Sequence, residues 1–336
     1  MDLQEVFEVS EERLVQGQCA RRSFWAALAE LRRAYADEDA GTVFSAFDRA
    51  REDSRTFQVL TTLLERVYPV RTFLELAANA FDRAIAEDGL HEGCRRILEE
   101  VKIDWERRVR SEDEAIFATA PILFYGNHPS LLTPFLVAAG VNRPDLRIFS
   151  TSYVQRLVPS LVPFSYSFEV PLTRSWTEWR RGGLRRVLAY RLLSLLHSVP
   201  SAAEAKAANQ RGLEQGLAHV RRGGCIMIVP SGGGNRERRW FSGIGVLARG
   251  LVDQPGSGVP YVVPIREEYC SNKRIYAHIM RGPIARAKNL LFHRHPVRIT
   301  FAPPTQLTEV LGDVATVDET TEALRRHYLS AFRVKR

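Results

Sequence analysis

From about residue 115 onward, short apolar runs alternate with longer helix-like stretches, and this alternation constrains the fold more than any other feature. Short apolar runs bounded by turn residues are typical of buried strands, whereas apolar residues spaced three and four apart indicate helices. The strand-like runs lie within 115–130, 146–152, 225–230, 261–268 and 297–303, and the helix-like stretches lie at 131–139, 201–222 and 316–335. Strands that alternate with helices predict an α/β domain, with a mixed or parallel sheet flanked by helices.

The first 110 residues instead have helical periodicity throughout and contain few glycines or prolines. The amphipathic stretches cover 22–40, 57–68, 72–88 and 94–110. No chemical motif interrupts them. We therefore predict a helical N-terminal bundle over residues 1–112, followed by the α/β domain over residues 113–336.

The charge balance indicates which partners are compatible with the surface. The 336 residues include 47 basic and 39 acidic side chains, a formal net charge of +8, and only five of the basic residues are lysine. Such an excess concentrates anions near the surface, and arginine suits bidentate phosphate binding. Nucleic acid, anionic lipid, phosphorylated substrates and acidic carrier proteins all fit, and a compositional bias of the genome explains the excess equally well.

The candidate metal and disulfide ligands do not form a recognisable set. The cysteines are Cys19, Cys94, Cys225 and Cys270, with no Cys-x-x-Cys pair. Such spacing predicts reduced thiols of a cytoplasmic protein rather than a zinc site or a disulfide framework. His293 and His295 have no third ligand nearby in the sequence, so we predict no bound metal.

The sequence also bears on the location of the protein. Residues 1–16 are acidic and lack the apolar region of a signal peptide. The apolar stretch 131–141 is shorter than the roughly 18 residues that a bilayer requires. We expect a cytoplasmic protein without a membrane-spanning segment, at most peripheral at an anionic membrane.

The first chemical motif is GNHPSLLTP, residues 126–134, which follows a strand-like run and leads into a helix. Turns of this kind at the carboxyl ends of strands are where α/β sheets bind ligands. His128 in this turn could act as a general base, since an imidazole accepts a proton near neutrality. The alternative is a histidine that caps the following helix.

Two further motifs could bind an anion. In CIMIVPSGGGNRER, residues 225–238, a buried strand runs into glycines whose backbone N–H groups can converge on a phosphate, with Arg236 behind them. The spacing matches neither a Walker A loop nor a dinucleotide fingerprint. In FEVPLTR, residues 168–174, an apolar strand leads to Arg174, a second candidate anion ligand. Taken alone, each loop is equally compatible with an ordinary turn.

The order of NHPSLLTP, FEVPLTR, VPSGGGNR and VVPI resembles the motif order of the glycerolipid acyltransferase superfamily. The third motif is closest to the PSGGRDR of the soluble, plastid-type glycerol-3-phosphate acyltransferases. Those proteins also have a helical N-terminal domain before an α/β domain and no membrane-spanning helices. The resemblance covers roughly residues 115–270 by motif, and it implies a glycerol-3-phosphate acyltransferase-like fold.

The resemblance also implies roles for individual residues. His128 matches the histidine that deprotonates the acceptor hydroxyl before it attacks an acyl thioester. Arg174 and Arg236 match arginines that hold the acceptor phosphate. The loop beside that phosphate is implied to contain Ser231, Gly232 and Gly233. Asn127, which precedes the histidine, completes the implied substrate-binding set.

The chain departs from the family pattern at three places. Thr133 replaces the aspartate that orients the catalytic histidine, so a hydroxyl stands at a catalytic position where a carboxylate is expected. Gly234 and Asn235 replace the arginine and aspartate of the glycine-rich motif, and Ser175-Trp176 stands where the soluble branch has further basic ligands. A carboxylate from elsewhere, such as Glu169 or Asp145, is a candidate substitute for the lost aspartate.

Two hypotheses follow for the function. The first is an acyltransferase that moves a fatty acyl group from acyl-carrier protein or acyl-coenzyme A to a hydroxyl or amine acceptor, with His128 as general base. Here the thioester is a co-substrate, no cofactor is bound, and the partners are acyl-carrier protein and a small-molecule acceptor. The second is a degenerate relative that binds acyl groups or their carrier without turnover. We expect no nucleic-acid partner, since no helix-turn-helix, RNP or basic-aromatic pattern occurs.

Overall fold

The computed structural model of the protein describes residues 22–34, 40–65, 70–169, 201–231, 240–254, 256–270, 275 and 295–334. These residues fall into two compact units. One unit contains the described residues up to 79 together with 156–159. The other contains 80–155, 160–169 and the described residues from 201 onward.

The first unit is helical. Its helices are α1 (22–34), α2 (Ala40–Asp53), α3 (Arg55–Glu65) and α4 (Val70–Leu76). The rings of Phe47 and Phe57 lie edge to face in its core, with centroids 5.6 Å apart. The Ser54 hydroxyl accepts a hydrogen bond from the Phe57 backbone N–H (3.3 Å) and so caps the start of α3. The prediction of a helical N-terminal region is confirmed.

A π-helical turn (Ala77–Phe81) precedes α5 (Asp82–Glu100), which is broken at Gly89, where φ is +76°. The helix predicted over 94–110 ends at Glu100, and strand β1 (Trp105–Arg108) follows. The prediction was wrong here because β1 is held by pairing with a strand almost 200 residues later, from Trp105 opposite Val297 onward. Local periodicity contains no information about such a partner.

The second unit is built on an eight-stranded sheet in the order β1-β7-β6-β2-β5-β3-β4, with β8 paired to β6. The remaining strands are β2 (Ile122–Gly126), β3 (Leu146–Ser150), β4 (Ser165–Ser167), β5 (Cys225–Ile228), β6 (Tyr261–Glu268), β7 (Val297–Phe301) and β8 (Thr305–Gln306). The strand predictions at 146–152, 225–230, 261–268 and 297–303 are confirmed by β3, β5, β6 and β7.

The sheet is mixed, with a parallel centre. Strands β6, β2, β5, β3 and β4 are all parallel to one another, so their carboxyl ends lie at one edge. The pair β1 and β7 runs antiparallel to β6, and so does β8. The fold is therefore the predicted α/β class with a mixed sheet.

Helices flank this sheet. They are α6 (Glu114–Thr119), α7 (Thr133–Gly140), α8 (Ser152–Leu157), α9 (Ala202–Arg221), α10 (Gly243–Asp253), α11 (Leu307–Leu311) and α12 (Val317–Ala331). Capping boxes start two of them: Ser201 with Glu204 for α9, and Thr316 with Glu319 for α12. No helix in the described parts of the chain is both long and apolar enough to cross a membrane.

The core lies on both faces of the sheet. On one face, Leu123 and Tyr125 of β2 pack with Leu247 of α10 and Leu324 of α12. Because side chains alternate along a strand, Phe124 points to the other face. There its ring lies 5.4 Å from that of Phe117 on α6, in edge-to-face geometry. Burial on both faces leaves all five residues of β2 buried, and the neighbouring strand β5 is buried at all four of its residues.

The compact units differ from the predicted division at residue 112. Helix α5 and strand β1 both precede that residue, yet they belong to the unit that contains the sheet. The physical reason is that β1 is a strand of this sheet and α5 packs against α7. A helical pattern upstream of a sheet does not by itself show where a compact unit begins.

Gly126 at the end of β2 allows β2 and β6 to approach closely, since an added Cβ would overlap the carbonyl oxygen of Ile265. We expect Gly126→Ala to lower the free energy of unfolding by about 2–4 kcal/mol, because backbone must move to relieve the overlap. Urea denaturation measures the loss. Gly258→Ala is the matched control: there a Cβ meets only Pro121, at 3.4 Å, and stability should change by less than about 1 kcal/mol. Equal effects of the two substitutions would contradict the prediction.

Candidate functional site

The four sequence motifs all follow, or lie in, parallel strands of the sheet. NHPSLLTP follows β2, FEVPLTR follows β4, VPSGGGNR begins at the end of β5, and VVPI lies within β6. The carboxyl ends of these strands share one edge, which we call the carboxyl edge. Open α/β sheets bind their ligands outside this edge, so the fold brings the starts of the candidate loops to the expected place.

His128 lies on the loop after β2, between the two neighbouring parallel strands β5 and β6. Its imidazole is largely buried, and burial lowers its pKa from 6.5 to about 4. The ring is therefore neutral at physiological pH and keeps a nitrogen lone pair available for a proton. The Nδ1 atom is buried and has no hydrogen-bond partner among the described residues.

Asn127 fastens the start of this loop to β6. Its side-chain Oδ1 accepts a hydrogen bond from the backbone N–H of Glu267 (2.9 Å), and its Nδ2 donates to the backbone carbonyl of Glu267 (3.2 Å). The side-chain amide of Asn127 thus pairs with the backbone of β6 where the backbone pairing of β2 has ended. Both polar atoms of this buried side chain have a protein partner, and the substrate-binding role of Asn127 stays a prediction.

The carboxyl group of Glu267 fastens the rest of the loop. It is buried beneath the loop and accepts a hydrogen bond from the Ser130 hydroxyl (2.5 Å). It is also hydrogen-bonded to the hydroxyl of Thr133 and the thiol of Cys270. Burial raises the pKa of this carboxyl above its usual value, against the smaller opposing effect of the three hydrogen bonds.

Thr133 is fully buried at the first position of α7 and faces Glu267. Its hydroxyl also lies 2.9 Å from the carbonyl oxygen of Ser130. The described structure therefore does not join Thr133 to Nδ1 of His128, although Thr133 stands where the resemblance expects the orienting aspartate. A direct role for Thr133 in catalysis stays a prediction.

Neither carboxylate suggested by the sequence as a substitute lies beside His128. Asp145 precedes β3, at the opposite edge of the sheet, where it pairs with Arg143 (2.5 Å). Glu169 follows β4, on the far side of β3 and β5 from β2, and accepts a hydrogen bond from the backbone N–H of Ser152 (3.2 Å). The buried carboxyl group that the fold does bring to this loop is that of Glu267, which contacts Ser130 and Thr133.

Glu267 was missed because VVPIREE was analysed only as a strand. Alternation gave a signal for it, since Val263, Ile265 and Glu267 share one face of β6. An acidic residue in phase with buried apolar residues is unusual and often marks a functional or specially paired site. The alternation does not indicate which loop this residue contacts.

The glycine-rich loop is anchored at the same edge. Ser231 is buried directly after β5. The backbone N–H of Phe241 donates to the carbonyl of Pro230 (2.8 Å), so the residues that flank the loop are joined at the end of β5. The predicted ligands Gly232, Gly233, Arg236 and Arg174 lie outside the described residues.

A separate cleft of about 520 Å³ lies at the other end of α7, away from His128. It is lined by residues of α5, β1, α6 and the end of α7, including His91, Arg95 and Trp105. Arg107 crosses it, donating to the carbonyl of Gly140 (2.6 Å) and pairing with Glu114. Four polar side chains of this cleft, those of His91, Arg95, Arg107 and Glu114, already have protein partners, and the candidate site stays at the carboxyl edge.

No protein-family model matches the sequence, and no curated protein matches it. Among solved structures, the chain is similar to the 1-acyl-sn-glycerophosphate (LPA) acyltransferase PlsC from Thermotoga maritima. The TM-score is 0.37 and the identity 11%, over 76% of this chain and 87% of that chain. Similarity at this level does not assign a function.

We expect the imidazole of His128 to titrate near pH 4 rather than 6.5, because burial disfavours the charged ring. Histidine C–H resonances followed by NMR against pH, with His128→Asn for assignment, measure this directly. The same shift predicts that wild type loses more stability than His128→Asn as pH falls from 6.5 to 4, because the unfolded chain binds the proton more tightly. A midpoint near 6.5 would contradict the prediction.

We expect Thr133→Asp to destabilise the protein by at least about 2 kcal/mol at pH 8, since it brings a second carboxyl against Glu267 without water. In a Glu267→Gln background the cost should fall by more than about 1 kcal/mol, because an amide can donate to the new carboxylate. Urea denaturation of the two single variants and the double variant measures this coupling. Additive effects would show that the two side chains do not interact.

Proposed function

We propose that the protein is an acyltransferase that moves an acyl group from a thioester, carried by acyl-carrier protein or coenzyme A, to a hydroxyl or amine acceptor. The observation that supports this proposal is the arrangement of the four motifs: three begin at the carboxyl edge, the fourth lies within β6, and a neutral histidine lies on the central loop. The order of these motifs along the chain is the order that the acyltransferase resemblance requires.

His128 supplies the base in this proposal. Its neutral imidazole takes the proton of the acceptor as the acceptor oxygen or nitrogen attacks the thioester carbonyl carbon. The carbon–sulfur bond then breaks, and the imidazolium returns the proton to the leaving thiolate. Histidine is thus restored, and the products are an ester or amide and a free thiol.

The burial of His128 limits how strong a base it is. A pKa of about 4 keeps the ring unprotonated, but it also means that the imidazolium formed during attack is poorly stabilised. No described residue accepts a hydrogen from Nδ1 to offset this cost. Such a site favours an acceptor that attacks without a strong general base, such as an amine or an activated hydroxyl, over an ordinary alcohol.

The fold supports a donor that approaches from the carboxyl edge, and the charge of the whole chain suits an acidic carrier protein. The net charge of +8 attracts acyl-carrier protein and the phosphates of coenzyme A alike. Both donors therefore belong in the first assay. An anionic membrane surface is compatible with the same charge and would serve as a source of acceptor.

The second candidate is a protein that binds acyl groups or their carrier without turnover. The observation in its favour is that Nδ1 of His128 has no hydrogen-bond partner among the described residues, because a catalytic imidazole is ordinarily held by a hydrogen bond at its second nitrogen. This candidate predicts binding of the acyl carrier with no release of the thiol.

We expect His128→Ala to lower thiol release at least 10²-fold, in line with the loss of a general base. Release is measured from a panel of acyl-carrier-protein and acyl-coenzyme A donors, with glycerol-3-phosphate and a metabolite extract as acceptors. His91→Gln is the control, since His91 lies on α5 away from His128, where its ring contacts the carbonyl of Ala138 (2.9 Å) and the carboxylate of Glu92 (3.3 Å). Full activity of His128→Ala would remove His128 from the mechanism, and binding without release in wild type would favour the second candidate.

A further inference from the structure

Glu267 has a buried carboxyl group that no step of the proposed acyl transfer uses. It is 3% exposed, and it forms no ion pair within the described parts of the chain. Burying an ionised carboxylate without a cation is costly, and proteins usually avoid the cost by neutralising the group. The surroundings of Glu267 therefore bear on whether it carries a proton.

Within the described parts of the chain, three side chains are hydrogen-bonded to the carboxyl. Ser130 and Thr133 face it from the loop and the start of α7, and Cys270 faces it from the end of its own strand. Its cross-strand partner on β7 is Ile299, which is apolar and buried. Apart from the Cys270 thiol, none of these groups is titratable, and none is cationic.

The neighbours of Glu267 along β6 do not compensate it. Arg266 and Glu268 alternate to the opposite face of the strand, where they lie 3.8 Å from each other. Arg298 of β7 joins them there, also 3.8 Å from Glu268. The two described arginines near this end of β6 are thus on the face of the sheet away from the carboxyl group of Glu267.

Counting hydrogens at Thr133 favours a protonated Glu267. Its hydroxyl has one hydrogen but lies within hydrogen-bond distance of two acceptors, the carbonyl of Ser130 (2.9 Å) and one carboxyl oxygen of Glu267. With an ionised carboxylate, one of these two contacts has no hydrogen. With a proton on Glu267, the acid donates to Thr133, Thr133 donates to the carbonyl, and Ser130 donates to the second carboxyl oxygen.

We propose that Glu267 is the positioning residue of the His128 loop and that it acts as a neutral carboxylic acid, which donates its proton to Thr133. Asn127 binds the backbone of Glu267, while Ser130 and Thr133 bind its side chain. His128 lies between these attachment points, so Glu267 holds the loop on both sides of the ring. The role in catalysis rests on the proposed acyl transfer; the neutral acid and the held loop do not.

The proposal fixes the sign of a pH effect on stability. The unfolded chain ionises Glu267 near pH 4.5, whereas the folded protein keeps the proton to a higher pH. The stabilisation by the neutral acid is therefore complete below about pH 4.5 and is lost as pH rises through the folded pKa. Glutamine reproduces the neutral acid, since its Oε1 accepts from Ser130 and its Nε2 donates to Thr133, and it does not titrate.

The first test compares the melting temperatures of wild type and Glu267→Gln at pH 5 and pH 8. We expect the melting temperature of the variant, relative to wild type, to rise by at least about 3 °C between these pH values. Glu114→Gln is the control. The hydrogen bond from Arg107 lowers the pKa of the Glu114 carboxyl, so the difference in melting temperature between Glu114→Gln and wild type should stay constant over this pH range. A melting-temperature difference between Glu267→Gln and wild type that is the same at both pH values would overturn the proposal that Glu267 is a neutral acid.

The second test uses His128 as the reporter of position. In Glu267→Ala, where the loop loses its attachment, we expect the His128 NMR titration midpoint to move from about 4 toward 6.5 as water reaches the ring. Glu267→Gln should keep the midpoint within 0.5 pH unit of that of wild type. An unmoved midpoint in a folded Glu267→Ala protein would overturn the positioning role, whether or not the protein transfers acyl groups.

The third test follows thiol release against pH in the same variants. We expect wild-type release to fall at alkaline pH, the fall to shift to higher pH in Glu267→Gln, and Glu267→Ala to lose at least tenfold at every pH. Release that is unaffected in Glu267→Ala would overturn the positioning role. Absence of release in every protein, with the first two tests positive, would reject the proposed acyl transfer and retain the neutral acid.

Discussion

The pairing of β2 with β5 and β6 determines where the rest of the candidate site lies. β2 is buried on both faces and ends at Gly126, which allows β6 to approach closely. Because all three strands are parallel, the loops that follow β2 and β5 emerge beside the end of β6. The position of His128 is thus a consequence of backbone pairing in the centre of the sheet rather than of contacts made by the histidine itself.

The site balances two groups that burial makes neutral in opposite ways. Burial disfavours the charged form of each group, so it lowers the pKa of the base, His128, and raises the pKa of the acid, Glu267. Hydrogen bonds between Glu267 and Asn127, Ser130 and Thr133 then hold the loop, with no ion pair to Glu267 among the described residues. This arrangement positions the loop at little electrostatic cost. It does not stabilise the positive charge that the imidazole acquires when it takes a proton.

The sequence predicted the class of fold and the edge where the motifs meet, because strand runs such as 225–230 and 261–268 have a strong local pattern. It did not predict β1, whose four residues are a strand only because β7 lies beside them. It also suggested Asp145 or Glu169 as the replacement carboxylate, since the order of strands in the sheet, which puts β5 and β3 between β2 and Glu169, cannot be read from the sequence. Finding Glu267 required the register of β6 against β2, which is a property of the fold.

The contact between Thr133 and Glu267 couples two positions that are 134 residues apart in the sequence. A hydroxyl at one position and a carboxylic acid at the other form a matched pair, and a change at either alone removes a partner from the buried interior. Such positions evolve together, through intermediates that tolerate the loss or through paired substitutions. In a homologous sequence with an acidic residue aligned to Thr133, the residue aligned to Glu267 should therefore be uncharged.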